Sequence, residues 1–240
     1  MRLLLVTAAT AERAAAVREL PVAVETSIGP YDALTVRTGA GVVDVLAAGV
    51  GPVAAATATA TALAHLPGYG LAVSLGIAGG FAGAGINVGD VVVADALCFA
   101  DLGAHSPEGF LHHGELGWHA GTVHPPYALV QAAGERVATA GLTVHTGAVL
   151  TLASMTGTAA RAEELAARHG AVAEAMEGAG VAHAAAVYGI PVLELRTISN
   201  AVGDRDKATW DFPLALDALA RAAAALLADE LAGELTADAG

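Results

Sequence analysis

Apolar residues fall in short runs along the chain, separated by alanine-rich stretches of helical length. Arg2 to Ala8, Ala33 to Arg37, Val42 to Ala48, Leu71 to Leu75, Asp90 to Asp95, Thr143 to Leu152, Ala171 to Met176 and Val192 to Ile198 have strand length. Most are too apolar to keep a face in water, which predicts a largely buried sheet. Between them, Glu12 to Leu20, Val53 to Leu66, Tyr127 to Ala140, Thr158 to His169, Gly178 to Tyr188 and Phe212 to Leu235 read as helices. No internal repeat and no polar linker divides the pattern. It predicts one α/β domain over residues 1–240, with a central mixed sheet flanked by helices on both faces. Phe99 to Pro126 breaks the regularity. It is rich in Gly, His and Pro and reads as a long functional loop or flap.

Composition narrows the class. With 55% hydrophobic residues in 240, a sizeable core is available. No run approaches the roughly 18 uninterrupted apolar residues of a membrane span, so no membrane partner is expected. The opening MRLLLVTAAT imitates a signal peptide, but Glu12 and Arg13 interrupt it, and its length suits a first buried strand. A lone cysteine, Cys98, excludes an intramolecular disulfide and makes the cytoplasm the default location. A formal charge of −13, with Lys207 the only lysine, argues against binding a phosphate backbone. No nucleic-acid partner is expected.

Glu177, Arg196 and Asn200 stand where apolar residues are the rule. Glu177 follows Met176 where a strand-like run gives way to a helix, and Arg196 lies inside the run that ends in Ser199 and Asn200. Gly76, Gly79 and Gly80 follow the run Leu71 to Leu75, where missing side chains let backbone N–H groups approach a ligand. A dinucleotide fingerprint would open a helix, whereas these glycines lead to NVGDVVVAD, another strand. Gly49 and Gly51, with Pro52 suited to a first helical turn, are equally a tight connection or a ligand contact.

Together, Glu12 after the first strand, GVGPVAAA, GIAGGFAGAGINVGDVVVAD and AMEGAGVAHAAAVYGIPVLELRTISN resemble the nucleoside phosphorylase and nucleosidase superfamily over roughly residues 1 to 230. Among its members the resemblance is to purine nucleosidases acting on 5′-modified nucleosides. It implies catalysis without cofactor or metal, a homodimer or higher homo-oligomer, and a small-molecule nucleoside substrate. It gives Glu12 the task of holding and activating water, and Glu177 that of accepting the ribose hydroxyls above Met176. Arg196 would fix the water or Glu177. Gly76, Ile77, Ala78, Gly79, Met155, Thr156, Ser199 and Trp210 fall at substrate-contacting positions. Met155, Thr156 and Trp210 are each also plausible as plain core or loop, and Glu12 as an ordinary first-turn acid.

Departures from the family pattern refine the expectation. Phosphorylases carry an arginine just before the glycine turn to hold phosphate, whereas this chain has Ser74 and Leu75, which favours hydrolysis. Adenine nucleosidases have an aspartate where this chain has Asn200. One carbonyl acceptor and one NH₂ donor suit O6 and protonated N7 of a 6-oxopurine. The leaving group implied is hypoxanthine, with the N7 proton from solvent or Asp204. The substrate implied carries a carboxylate on its 5′ chain. Phe99, His105, His112, His113 and His119 would lie near that chain, partly across a dimer interface. Any single histidine is as readily a solvated loop residue, and their spacing makes a poor zinc site. The alternatives are an adenine-type nucleosidase, a purine nucleoside phosphorylase and a nucleoside-binding protein without turnover.

Overall fold

The structure, a computed structural model, describes residues 1–118 and 121–231. In chain order the strands and α-helices are β1 (Arg2–Thr7), α1 (Thr10–Val17), β2 (Val24–Ile28), β3 (Tyr31–Thr38), β4 (Gly41–Ala47), α2 (Pro52–His65), β5 (Tyr69–Gly80) and β6 (Val91–Phe99). There follow β7 (Gly103–Ser106), β8 (Gly109–His112), β9 (Thr122–Val123), α3 (Tyr127–Thr139), β10 (Val144–Thr151), α4 (Ala159–His169), β11 (Ala173–Ala175), α5 (Gly178–Val187), β12 (Val192–Ala201) and α6 (Phe212–Leu226).

The main sheet runs β11, β10, β6, β12, β5, β1, β4, β3, β2, with β9 beside β6. It is mixed: β4, β1, β5 and β12 are parallel neighbours, while β12 and β6 pair antiparallel. Its residues alternate between two buried faces. Leu3 and Leu5 of β1 pack with Leu129 of α3 and Leu219 of α6, and Leu4 and Val6 pack with Ala58 of α2 and Val181 of α5. Helices therefore cover both faces, which is why the strands lack polar sides.

One end of the sheet curls on itself. β11 lies parallel to β10, and its Ala173 and Glu174 also pair antiparallel with Gly80 and Gly79 of β5. The strands β11, β10, β6, β12 and β5 thus close a ring. On β12 the register with β5 slips between Ile198 and Asn200. Such a bulge re-aims the side chains beside it, here Ser199 and Asn200.

Four expectations need correction. The glycines at 76, 79 and 80 lie inside β5, which continues to Gly80 rather than ending at Leu75. β2 was not anticipated; its VETSI is exposed at four of five positions and pairs only with β3, so it carries no apolar signal. The segment 99–126 is more regular than a loop, because β7 and β8 form a hairpin and β9 returns to β6. Helix α6 ends at Leu226, and the expected stretch to Leu235 runs beyond the described residues. His119 also lies outside them.

Candidate active site

A cavity of about 490 Å³ opens at the C-terminal ends of β1, β5, β11 and β12, the end of a parallel array where ligands of open α/β sheets bind. Glu12, Ile77, Ala78, Gly79, Met155, Thr156, Met176, Glu177, Ser199, Asn200 and Trp210 all line it. Gly76 and Arg196 stand just behind that surface.

Glu12 sits in the first turn of α1 and is 5% exposed. Its Oε2 accepts the N–H groups of Ala8 and Ala9 at 3.0 and 2.8 Å, as a third-position glutamate capping its own helix does. Its Oε1 crosses to β5 and accepts Ile77 N–H at 2.9 Å, a contact that capping does not require. Gly76 permits this approach. A Cβ there would lie 2.5 Å from Glu12 Oε1 and 2.9 Å from Arg196 Nη1.

Glu177 occupies the residue before α5. Its Oε1 accepts Gly51 N–H at 3.1 Å, and its Oε2 accepts Met176 N–H at 3.3 Å and Arg196 Nη1 at 3.2 Å. Gly51 offers that N–H because its φ of 99° turns the chain from β4 into α2, a conformation that favours glycine. The turn is thus a tight connection that also holds a side chain of the cavity.

Arg196 is 1% exposed and pairs with Glu177 rather than lining the cavity. Its Nε donates to Glu194 at 2.9 Å and its Nη2 to Ser74 at 2.8 Å. Burial draws the guanidinium's pKa down, but Glu194, Glu177 and Glu12 outweigh it and leave it raised, so the charge persists. Burial pushes the Glu194 carboxyl up despite Arg196. Ser74 is spent on Arg196 inside the sheet and is fully buried.

At the other end, Ser199 Oγ donates to Asn200 Oδ1 at 2.8 Å, and Asn200 Nδ2 donates to the carbonyl of Ala201 at 2.9 Å. These bonds orient the amide and leave it one N–H and one lone pair. Glu174 lines the same end, held by Thr156 N–H and Thr156 Oγ at 3.0 and 2.5 Å. Burial raises its pKa, against the pull of the two Thr156 donors. Trp210 is half-buried beside Phe212, with the Arg205 guanidinium 5.4 Å over its ring.

The remaining candidates lie elsewhere. Asp204 accepts Ala159 N–H at the start of α4 at 3.1 Å and does not line the cavity. Phe99 lines a second cavity of about 390 Å³ with Pro52, Val53, Leu102 and His183. His105 packs on Phe110 within the hairpin. His112 and His113 adjoin each other, and His112 also meets His169, which burial and the neighbouring His112 and Arg168 push down to about 4. Among the described residues no cluster of three His, Cys, Asp or Glu could hold a metal, and no helix is long and apolar enough to cross a membrane.

Glu174 and Glu194 are the site residues that sequence reasoning missed. Both carry the signal that exposed Glu177: a carboxylate inside a run of strand length and apolar character.

Comparison with known proteins identifies the family. Residues 3–232 match the family model described as the phosphorylase superfamily. A futalosine hydrolase from Streptomyces coelicolor is 49% identical over 225 residues, covering 91% of this chain and 92% of that protein. One from Thermus thermophilus is 40% identical over 190 residues, 77% of this chain and 81% of its own. Among solved structures, a 5′-methylthioadenosine/S-adenosylhomocysteine nucleosidase from S. pneumoniae, bound to a transition-state inhibitor, superposes with a TM-score of 0.79 at 23% identity, covering 95% of this chain and 99% of that one. An S-adenosylhomocysteine nucleosidase from Streptococcus pyogenes reaches 0.80 at 22% identity, covering 95% of each chain. At these identities the structural likeness speaks for the fold.

Proposed function

From the premise that this chain belongs to the phosphorylase superfamily, and within it to the futalosine hydrolases, we propose that it hydrolyses the N-glycosidic bond of futalosine and releases hypoxanthine. The observation that carries the hydrolytic reading is the charge of the cavity wall. Among the described residues lining it are three carboxylates, Glu12, Glu174 and Glu177, and no Lys, Arg or His. An attacking phosphate would face carboxylates without a free cation, since Arg196 is taken up by Glu177 and Glu194. Water carries no such penalty.

In this mechanism the bond from C1′ to N9 lengthens ahead of attack, and positive charge develops on the sugar. Glu12 holds the water and takes its proton, a contribution of about 10²–10⁴-fold for general-base catalysis. Glu177 accepts the ribose hydroxyls, and its charge favours the cationic ring in a site fixed before reaction. Arg196 is a positioning residue that sets the Glu177 carboxylate by a charge-assisted bond. Asn200 meets the base at O6 and N7. With Asp204 committed to the start of α4, solvent is the source of the N7 proton.

The 5′ chain leaves the cavity past Val50, which lines it and is 66% exposed. A second copy of the chain covers this side with its 99–126 segment, docking on the apolar surface around Val50 and Val53. The protein acts in the cytoplasm, on the branch of menaquinone assembly that proceeds through futalosine. Incubation with futalosine, inosine and methylthioadenosine in parallel tests the assignment. Hypoxanthine from futalosine at a rate well above that from inosine, with little adenine from methylthioadenosine, is the expected outcome. Preferential adenine release would refute it.

A further inference from the structure

Glu174 is the carboxylate in the cavity to which neither water activation nor sugar binding gives a task. It sits in the middle of β11, opposite Gly79 of β5, and is 9% exposed. Thr156 supplies one donor to each of its oxygens. An ionised carboxylate has about four lone-pair sites, so capacity remains on the side facing the cavity. A Cβ at Gly79 would stand 2.8 Å from Val202 Cγ2, 3.2 Å from Asn200 Nδ2 and 3.7 Å from Glu174 Cγ, so only glycine lets the Asn200 and Glu174 side chains adjoin there. That point is three residues along β5 from Gly76, where Glu12 is held, or roughly 10 Å at strand rise. That separation suits a held water at one end and the far edge of a purine at the other.

We propose that Glu174 selects the base by accepting the N1–H of a 6-oxopurine, with Asn200 serving O6 and N7 beside it. This deepens the assignment above and rests on it. A 6-oxopurine presents a donor at N1 next to an acceptor at O6, and a 6-aminopurine reverses both. An amide can meet either pattern by turning over, whereas a carboxylate at N1 welcomes the first and sets lone pair against lone pair in the second. The bonds from Ser199 and to Ala201 limit the turning of Asn200, but only Glu174 makes the discrimination one-way. The competing role for Glu174 is structural, tying the 153–158 loop to β11 through Thr156. Glu174→Gln separates the two, because its amide can accept Thr156 N–H and donate to Thr156 Oγ.

The test measures kcat/KM for futalosine, its 6-amino counterpart and N1-methylfutalosine, with wild type, Glu174→Gln and Glu174→Ala. Leaving a buried polar group without its partner predicts that Glu174→Gln lowers the ratio of 6-oxo to 6-amino activity by about tenfold to a hundredfold. Methylation at N1 should cost wild type a similar factor, and Glu174→Ala should lose most of that difference. The substrate pair in wild type keeps the inference open to refutation even if a variant folds poorly. Equal losses on both bases in Glu174→Gln, or an N1-methyl penalty unchanged in Glu174→Ala, would overturn it. Absence of hypoxanthine release by wild type would overturn the substrate assignment itself, and this inference with it.

Discussion

The two ends of the cavity are held in different ways. At the sugar end, Glu12 and Glu177 accept five backbone N–H groups between them, from Ala8, Ala9, Ile77, Gly51 and Met176, and a buried guanidinium locks the second. At the base end, Asn200 is held by Ser199 Oγ and the Ala201 carbonyl and Glu174 by the N–H and Oγ of Thr156, so half of the bonds come from side chains. Groups fixed by main chain move only if the fold moves, so the end to which we assign the chemistry has its geometry set in advance. Groups fixed by neighbouring side chains can be exchanged singly. The base end can therefore change its preference while the reaction stays the same.

The sharpest way to break this division is Glu12→Gln. The amide cannot take the proton of water, so kcat should fall by about 10²–10⁴-fold, whereas binding of free hypoxanthine should be spared. Steady-state kinetics and base titration report the two separately, and retention of a tenth or more of wild-type kcat would remove Glu12 from its role.

Arg196→Met comes next. It strands the buried carboxylates of Glu177 and Glu194 without their cation, and removing one member of a buried ionic group costs about 3–5 kcal/mol. Urea denaturation should show that loss, and adding Glu194→Gln should recover part of it. The base end lacks a counterpart of this network, so no substitution there should destabilise the fold comparably.

Asn200→Asp should act on choice rather than on rate in general. A carboxylate facing O6 opposes acceptor to acceptor, and it accepts from an exocyclic amino group, so the ratio of 6-oxo to 6-amino activity should fall by about tenfold to a hundredfold. An unmoved ratio would show that Asn200 does not choose the base.

The smallest effect is in pH. Because burial raises the Glu174 carboxyl above the ordinary carboxylate range, it takes up its proton sooner than an exposed acid as pH falls. Protonated, it donates to N1 of a 6-aminopurine instead of accepting from a 6-oxopurine. The 6-oxo preference should thus be full above that pKa and decline as pH drops through it. Glu174→Gln should make the ratio independent of pH over the same window.

Much of this was legible in the chain. Strands buried on both faces announce themselves as apolar runs, and eight were read within a few residues, save that the run at 71–75 extends to Gly80. β2 escaped because an exposed edge strand has no apolar side to show. Glu12, Glu177, Arg196 and Asn200 stood out because polar side chains in an apolar setting, set at the spacing of a known family, are conspicuous. The partners of Arg196 were not: Glu194 lies two residues away on the same face of β12, but Ser74 meets it only when β5 and β12 lie side by side. Glu174 showed itself as a carboxylate in an apolar run, but its surroundings did not. Its meaning depends on Thr156 from one loop and on Gly79 across the ring, contacts that no local pattern records. His105 and His112 were the reverse case: conspicuous in sequence, yet folded here into the hairpin and against His169 of α4 rather than around this chain's cavity.

The claim that water held by Glu12 is the nucleophile is tested most directly by following futalosine cleavage in buffer freed of phosphate and again with phosphate added. The account predicts hypoxanthine release at the same rate in both, with the sugar product a free reducing sugar throughout. Release that requires phosphate, or a sugar 1-phosphate among the products, would contradict it.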